Sequence, residues 1–275
     1  MLALADHLPG ERLAIDASLW SADLGALAAE VQRMTPHADL FHIDASDTRF
    51  IPEPLFFPGL VAALRSQTHL PFHVHLMATR PADLVESFAL AGADLITVHA
   101  EAEGVTEALR RIRQCGKAAG LALTLDTAPE TIAADLDAID AVIMIGTPLG
   151  TKGSSMHPTA PSRVAALRRV LAAMGREEVV VFADGGIRSD TVPRLVSAGA
   201  DVVVAGSLLL SSADPATTSG WLRSHAPAST TRLTGVSGER DHSGRAVGGL
   251  GDQRRFVGHV AHLRGPRGRN GMATS

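Results

Sequence analysis

Ala198-Gly199-Ala200-Asp201-Val202-Val203-Val204-Ala205 opens with the same four residues, in the same order, as Ala91-Gly92-Ala93-Asp94-Leu95-Ile96-Thr97-Val98. In both copies a helical pattern ends on a glycine suited to a left-handed cap, and an apolar, β-branched run follows the aspartate at once. Such a join passes the chain from a helix into a buried strand, and the same alternation extends outward on both sides. Strands are expected over 13–16, 40–44, 72–77, 95–99, 121–125, 141–145, 179–183 and 202–205, with helices over 22–34, 55–66, 81–90, 105–118, 130–137, 161–174 and 191–197. Pro81 and Pro161 stand where a first helical turn tolerates proline. Alternating strands and helices imply a parallel sheet, and eight units in about 200 residues fit a single closed (β/α)8 TIM barrel of the α/β class better than an open doubly wound sheet.

The composition narrows the partners. The chain has 275 residues, 45% hydrophobic and 20% charged, with a net charge of -4, which suits a core-forming domain and points away from nucleic acid. A single cysteine, Cys115, excludes an intrachain disulfide and a thiolate-built zinc site. No apolar run reaches the roughly 20 residues of a membrane span, and 1–12 does not read as a signal peptide, so a cytoplasmic protein with a small-molecule partner is expected. The balance changes near Ser211: 16 basic against 25 acidic residues before it, 9 against 4 after it. A barrel over 1–211 is therefore expected, followed over 212–275 by an Arg/Gly-rich tail with one short docking helix around Pro215–His225 and disorder beyond.

A barrel of this kind binds ligands at the carboxyl ends of its strands. His42 and Asp44 lie two apart at one such end and share a side of their strand, His73 and His75 repeat that spacing on the next, and Asp184 closes the seventh. Singly, each reads as a hydrogen-bonded interior residue. Together, His42, Asp44, His75 and Asp184 would repel or stay unpaired without a cation, and their mix of imidazole and carboxylate suits one Zn²⁺, Fe²⁺, Mn²⁺ or Co²⁺ ion. Gly185-Gly186 and Gly206-Ser207, after the last two strands, are placed to turn backbone N–H groups toward a phosphate. The glycine-spaced stretch 146–155, with Gly150 and Lys152, reads as a lid.

These residues, in this order, resemble the ribulose-phosphate 3-epimerase family over about 13–211, a phosphate-binding group of (β/α)8 barrels. The likeness rests on Ser18-Leu19-Trp20-Ser21-Ala22-Asp23, His42-Ile43-Asp44 with Phe50-Ile51-Pro52, His75-Leu76-Met77, Ile96-Thr97-Val98-His99, Asp184-Gly185-Gly186-Ile187 and Ala205-Gly206-Ser207. The resemblance implies a ribulose-phosphate-binding barrel whose metal is held by His42, Asp44, His75 and Asp184. It also implies Asp44 and Asp184 as an acid/base pair, Ser18 in contact with substrate, and a homo-oligomer. The expected reaction inverts C3 of a ketose phosphate such as D-ribulose 5-phosphate. That chemistry needs one carboxylate on each face of the carbon, because a proton leaves one face and another arrives on the opposite one.

Departures from the family pattern bear on substrate. Ser46-Asp47-Thr48 stands for Met-Asp-Gly, removing a thioether; Ala17 stands for proline; His73 stands for an aspartate; and the lid gains Lys152. The rival readings are a Schiff-base aldolase using one of the two lysines, Lys117 or Lys152, and a barrel that binds a sugar phosphate or metal without turning it over. His99, which closes the fourth strand, is expected to line the barrel mouth without binding metal.

Overall fold

The computed structural model describes residue 4 and residues 8–226. Eight parallel strands close in sequence order: β1 Ala14–Ser18, β2 Leu40–Ser46, β3 Phe72–Met77, β4 Leu95–His99, β5 Ala118–Leu123, β6 Ala141–Ile145, β7 Val180–Asp184 and β8 Val202–Ala205. The helices are α1 Leu27–Met34, α2 Pro58–Arg65, α3 Val85–Leu90, α4 Val105–Gln114, α5 Ala160–Ala173, α6 Val192–Ala198, α7 Ser207–Leu210 and α8 Pro215–Arg223. The closed barrel is the one expected. No helix among the described residues is long and apolar enough to cross a membrane.

Several bounds move for local reasons. The Asp23 carboxylate takes the N–H of Gly25 at 2.9 Å, so α1 begins at Leu27 and not at Ala22. Gly116 turns at φ 72, which releases the chain early and starts β5 at Ala118, three residues ahead of its expected place. The expected helix over 130–137 is instead two 3-10 turns, Pro129–Ala134 and Leu136–Ala138. Arginines take up carbonyls at the end of this segment: Leu136 O accepts from Arg176 at 2.7 Å and Ala138 O from Arg113 at 2.9 Å. Past Ser211, α8 starts on an Asp214 cap and buries Leu222 against the barrel, and Leu13 N–H donates to His225 O at 2.8 Å. The expected disorder beyond that helix lies outside the described residues.

The aspartates that precede β2, β4, β6 and β8 share one geometry. Asp39, Asp94, Asp140 and Asp201 each donate their N–H to the carbonyl of one residue in the preceding strand and accept that residue's N–H on a carboxylate oxygen, the partners being Ile15, Phe72, Ala119 and Val181. An arginine backs each clip: Arg12, Arg65, Arg113 and Arg168. The repeated Ala-Gly-Ala-Asp follows from this arrangement. Gly92 and Gly199 have φ 105 and 107, and a Cβ on either would come 2.7 Å from the arginine stem lying against it.

Side chains facing into the barrel divide by level and by half. At the lowest level Ala14, Leu40 and Leu95 join Ala122, Ile143, Phe182 and Val204 in one buried apolar cluster, which β5 to β8 continue upward as far as Asp184. Higher up, β1 to β4 present buried polar groups: Asp16, His42, His73 and Thr97, and toward the carboxyl ends Ser18, Asp44, His75 and His99.

Candidate active site

The upper row on the polar half forms the floor of a cleft. Ser18 Oγ donates to Asp44 Oδ2 at 3.3 Å, and Asp44 Oδ1 lies 3.2 Å from both His42 Nε2 and His75 Nδ1. Asp184, from across the barrel mouth on β7, comes within 3.9 Å of His75 Nδ1. One donor atom from each of His42, Asp44, His75 and Asp184 lies within 4.8 Å of the other three. The set suits a divalent cation chemically: two imidazole nitrogens and two carboxylates converge where solvent barely reaches.

The charge balance points the same way. Burial disfavours protonation of His42, yet the carboxylates of Asp44 and Asp16 lift its pKa well above the ordinary imidazole value. Such surplus negative charge draws a proton, or a cation in its place. The two mouth carboxyls are driven apart. Burial alone would raise Asp44, but the charge of His42 and hydrogen bonds from His42 and His75 outweigh it and hold the acid far below the usual carboxylate range. At Asp184 burial prevails, Asp44 adds repulsion, and the pKa rises.

A second layer sets the imidazole tautomers. His75 Nε2 meets His99 Nε2 at 2.8 Å, and His99 Nδ1 meets Glu101 Oε2 at 3.1 Å. Glu101 in turn accepts from Thr124 N and Oγ1 at 2.9 and 2.8 Å and from the Thr127 hydroxyl. Burial alone would raise Glu101, but these bonds outweigh it and bring its pKa down to about 2, while burial lowers His99 to about 4. A neutral His99 that donates to Glu101 accepts from His75 Nε2–H, and with a cation in place of the His75–Asp44 hydrogen bond the His75 Nδ1 lone pair would be free for the ion. His99 therefore has a partner and a role that sequence reading did not assign, and Glu101 was missed entirely.

Above the floor is a cleft of about 170 Å³ whose wall includes Met77, Lys152, Gly185, Gly186, Gly206 and Ser207. Gly185 and Gly186 turn at φ 91 and 69, and a Cβ on either would overlap the loop after β6, at Thr147 and at Met156. That loop is pinned at its root by Gly146 N–H to Asp184 O at 2.6 Å and His157 N–H to Gly146 O at 2.7 Å. Gly150 lies over Ile51, and exposed Lys152 donates to Trp20 O at 2.6 Å, bridging the loop to the turn after β1. Arg188, a further cleft-lining cation absent from the sequence-based set, donates to Ile187 O at 2.8 Å.

The departures leave the cleft's framework in place. Met77, register partner of Ser46 and itself part of the family pattern, keeps a thioether at the cleft. Thr48 holds the left-handed φ of 61 and anchors its N–H on Ser46 Oγ at 3.0 Å. Neither substitution separates the four convergent donors. The aldolase reading fails on placement: Lys152 is exposed, and Lys117 precedes β5 at the opposite end of the barrel.

Residues 14–210 match the sequence model of the ribulose-phosphate 3 epimerase family. The chain is 39% identical over 196 residues to a ribulose-phosphate 3-epimerase of Treponema pallidum (strain Nichols), covering 70% of this chain and 89% of that one. It is 33% identical over 199 residues to the Bacillus subtilis (strain 168) protein of the same name, covering 72% and 92%. Among solved structures it is similar to KGPDC from Streptococcus mutans, with TM-score 0.59, 15% identity and coverage of 78% of this chain and 97% of that one. Orotidine 5'-phosphate decarboxylase from Pyrococcus horikoshii OT3 gives TM-score 0.57 at 14% identity, covering 77% and 98%. At these identities the structural likenesses speak for the barrel alone.

Proposed function

The chain belongs to the ribulose-phosphate 3-epimerase family and is an isomerase acting on carbohydrates, and from that premise we propose that it inverts C3 of D-ribulose 5-phosphate to give D-xylulose 5-phosphate, with Asp44 and Asp184 as the two acid/base groups. The observation that carries this reading is the pair itself: two carboxyls reach the cleft floor from β2 and β7, with pKa values displaced in opposite directions. Ionised Asp44 takes the C3 proton; the C–H electron pair moves into the C2 carbonyl to give an enediolate; protonated Asp184 returns a proton to the opposite face. The reverse reaction exchanges the roles.

His42, Asp44, His75 and Asp184 would hold a divalent cation, which when bound supplies positive charge beside the developing enediolate. Ser18, bonded to Asp44, faces the cleft and orients the sugar hydroxyls. On the other wall, Gly185, Gly186, Gly206 and Ser207 offer N–H groups and a hydroxyl to the phosphate, and Lys152 closes over it from the lid. The reading implies a cytoplasmic enzyme with a phosphorylated ketose as partner.

Reaction in heavy water tests the proposal. Deuterium should enter C3 of ribulose 5-phosphate and xylulose 5-phosphate, and metal chelation should stop it. Epimerisation that proceeds without uptake of solvent deuterium would remove the two-base mechanism, and uptake into a ketose phosphate of another length alone would move the substrate.

A further inference from the structure

Beneath the four convergent donors lies a second buried cluster drawn from β1, β2, β3 and β4. Asp16 Oδ2 is 3.0 Å from His42 Nδ1 and 2.6 Å from His73 Nδ1, and His73 Nε2 is 2.8 Å from Thr97 Oγ1. All four side chains are fully buried. We propose that Asp16 is the positioning residue of the cation site, fixing His42 with Nδ1–H inward and its Nε2 lone pair toward Asp44, while His73 and Thr97 hold Asp16 in place. The proposal rests on the cation-holding reading of His42, Asp44, His75 and Asp184.

Donor accounting supports it. With a cation in place of the extra proton, His42 is a neutral imidazole with one N–H; its Nε2 lone pair then serves the ion, and the N–H on Nδ1 is directed at Asp16, since a carboxylate can only accept. His73 does the same, and its remaining nitrogen accepts the Thr97 hydroxyl proton. The 3.3 Å approach of His42 Nδ1 to His73 Nδ1 is then two donors sharing one acceptor oxygen. Every group is satisfied without an ion in this lower cluster, except Asp16 Oδ1, which is buried with no partner. An unpaired buried carboxylate oxygen is destabilising, a cost that a purely structural site would not carry with an apolar residue in that place.

Geometry also accounts for the departure at position 73. His73 is the direct cross-strand partner of His42, and an aspartate there would reach His42 from beside it. Ser18 is the register partner of His42 on β1, so Asp16 sits one interior row lower and reaches His42 diagonally. The carboxylate that orients His42 thus comes from β1, and position 73 has become its support. Gly120 makes room for the arrangement, because a Cβ there would overlap the Thr97 hydroxyl.

The test is Zn²⁺ affinity of the full chain, measured with Zn²⁺ alone against a chromophoric chelator, beside the melting temperature of the ion-free protein. D16N and D16A should bind Zn²⁺ about 10- to 100-fold more weakly than wild type. The double variant D16A/H73D, with its carboxylate returned to the position beside His42, should recover near-wild-type affinity. A D16N or D16A chain that binds like wild type overturns the assignment, and so does a loss that H73D fails to repair while the double variant melts like wild type. If D16A does not fold, isosteric D16N carries the comparison, with H73D on that background as the rescue. A wild-type chain that holds no Zn²⁺ overturns instead the cation reading on which the proposal rests.

Discussion

The two ends of this barrel are built on different rules. At the amino ends of the strands one device occurs four times: an aspartate clips its own strand to the preceding one and an arginine backs it. At the carboxyl ends nothing repeats. His42, Asp44, His75 and Asp184 come from three strands, each with its own partners, and two of the carboxylates carry opposite pKa shifts. Repetition serves closure, since alternate pairs of strands are fastened in the same way. Chemistry at one carbon needs asymmetry, since the two faces of a substrate are not equivalent.

Substitutions should divide along that line. The largest effect is expected for D44N and D184N, which should each lower kcat by about a thousandfold or more while leaving the melting temperature near that of wild type. Steady-state epimerisation with calorimetry measures both, and near-normal turnover in either variant would end its assignment as acid or base. One layer down, H99A and E101Q loosen the His75 tautomer and should weaken Zn²⁺ binding by about 10- to 100-fold. Chelator competition reads this directly, and unchanged affinity would return His99 to the role of a wall residue. At the far end, alanine at Asp39, Asp94, Asp140 or Asp201 leaves a strand N–H without its carboxylate. Each should cost about 1–3 kcal/mol, or a few degrees of melting temperature, with kcat unchanged. A clip variant that lost turnover without losing stability would erase the distinction between the ends. The smallest effect is expected for K152A: a severalfold rise in KM for the sugar phosphate with little change in kcat, as befits an exposed charge.

Much of the upper end could be read from spacing, and the reasons for the misses are specific. Polar residues two apart mark the inward face of a strand, and that rule found His42 with Asp44 and linked His73 to His75. Applied to the neighbouring strands it would also have found Asp16 with Ser18 and Thr97 with His99, so the polar half of the interior was available as a pattern on four consecutive strands. Glu101 lies beyond the strand, where spacing carries no orientation. The lower end was half legible. Ala-Gly-Ala-Asp marked two of the helix-to-strand joins but not their clips, and it recurs because there the arginine crosses a glycine; the clips at Asp39 and Asp140 keep only the aspartate, and a lone aspartate before a strand has no distinctive signature. The 3-10 turns before β6 depend on arginines from α4 and beyond α5, a long-range cause that helical periodicity does not contain.

The two halves of the ring also divide the proposed tasks. Residues up to Gly104 contain two complete clips and three of the four residues proposed to hold the cation, with their supporting layer; residues after it contain the other two clips, Asp184, the 146–155 segment and the glycine turns proposed for a phosphate. Gly104 itself turns in open space at φ 70. Dividing the chain there would part the groups proposed for the ion from those proposed for the phosphate, so that neither fragment alone would carry the whole cleft.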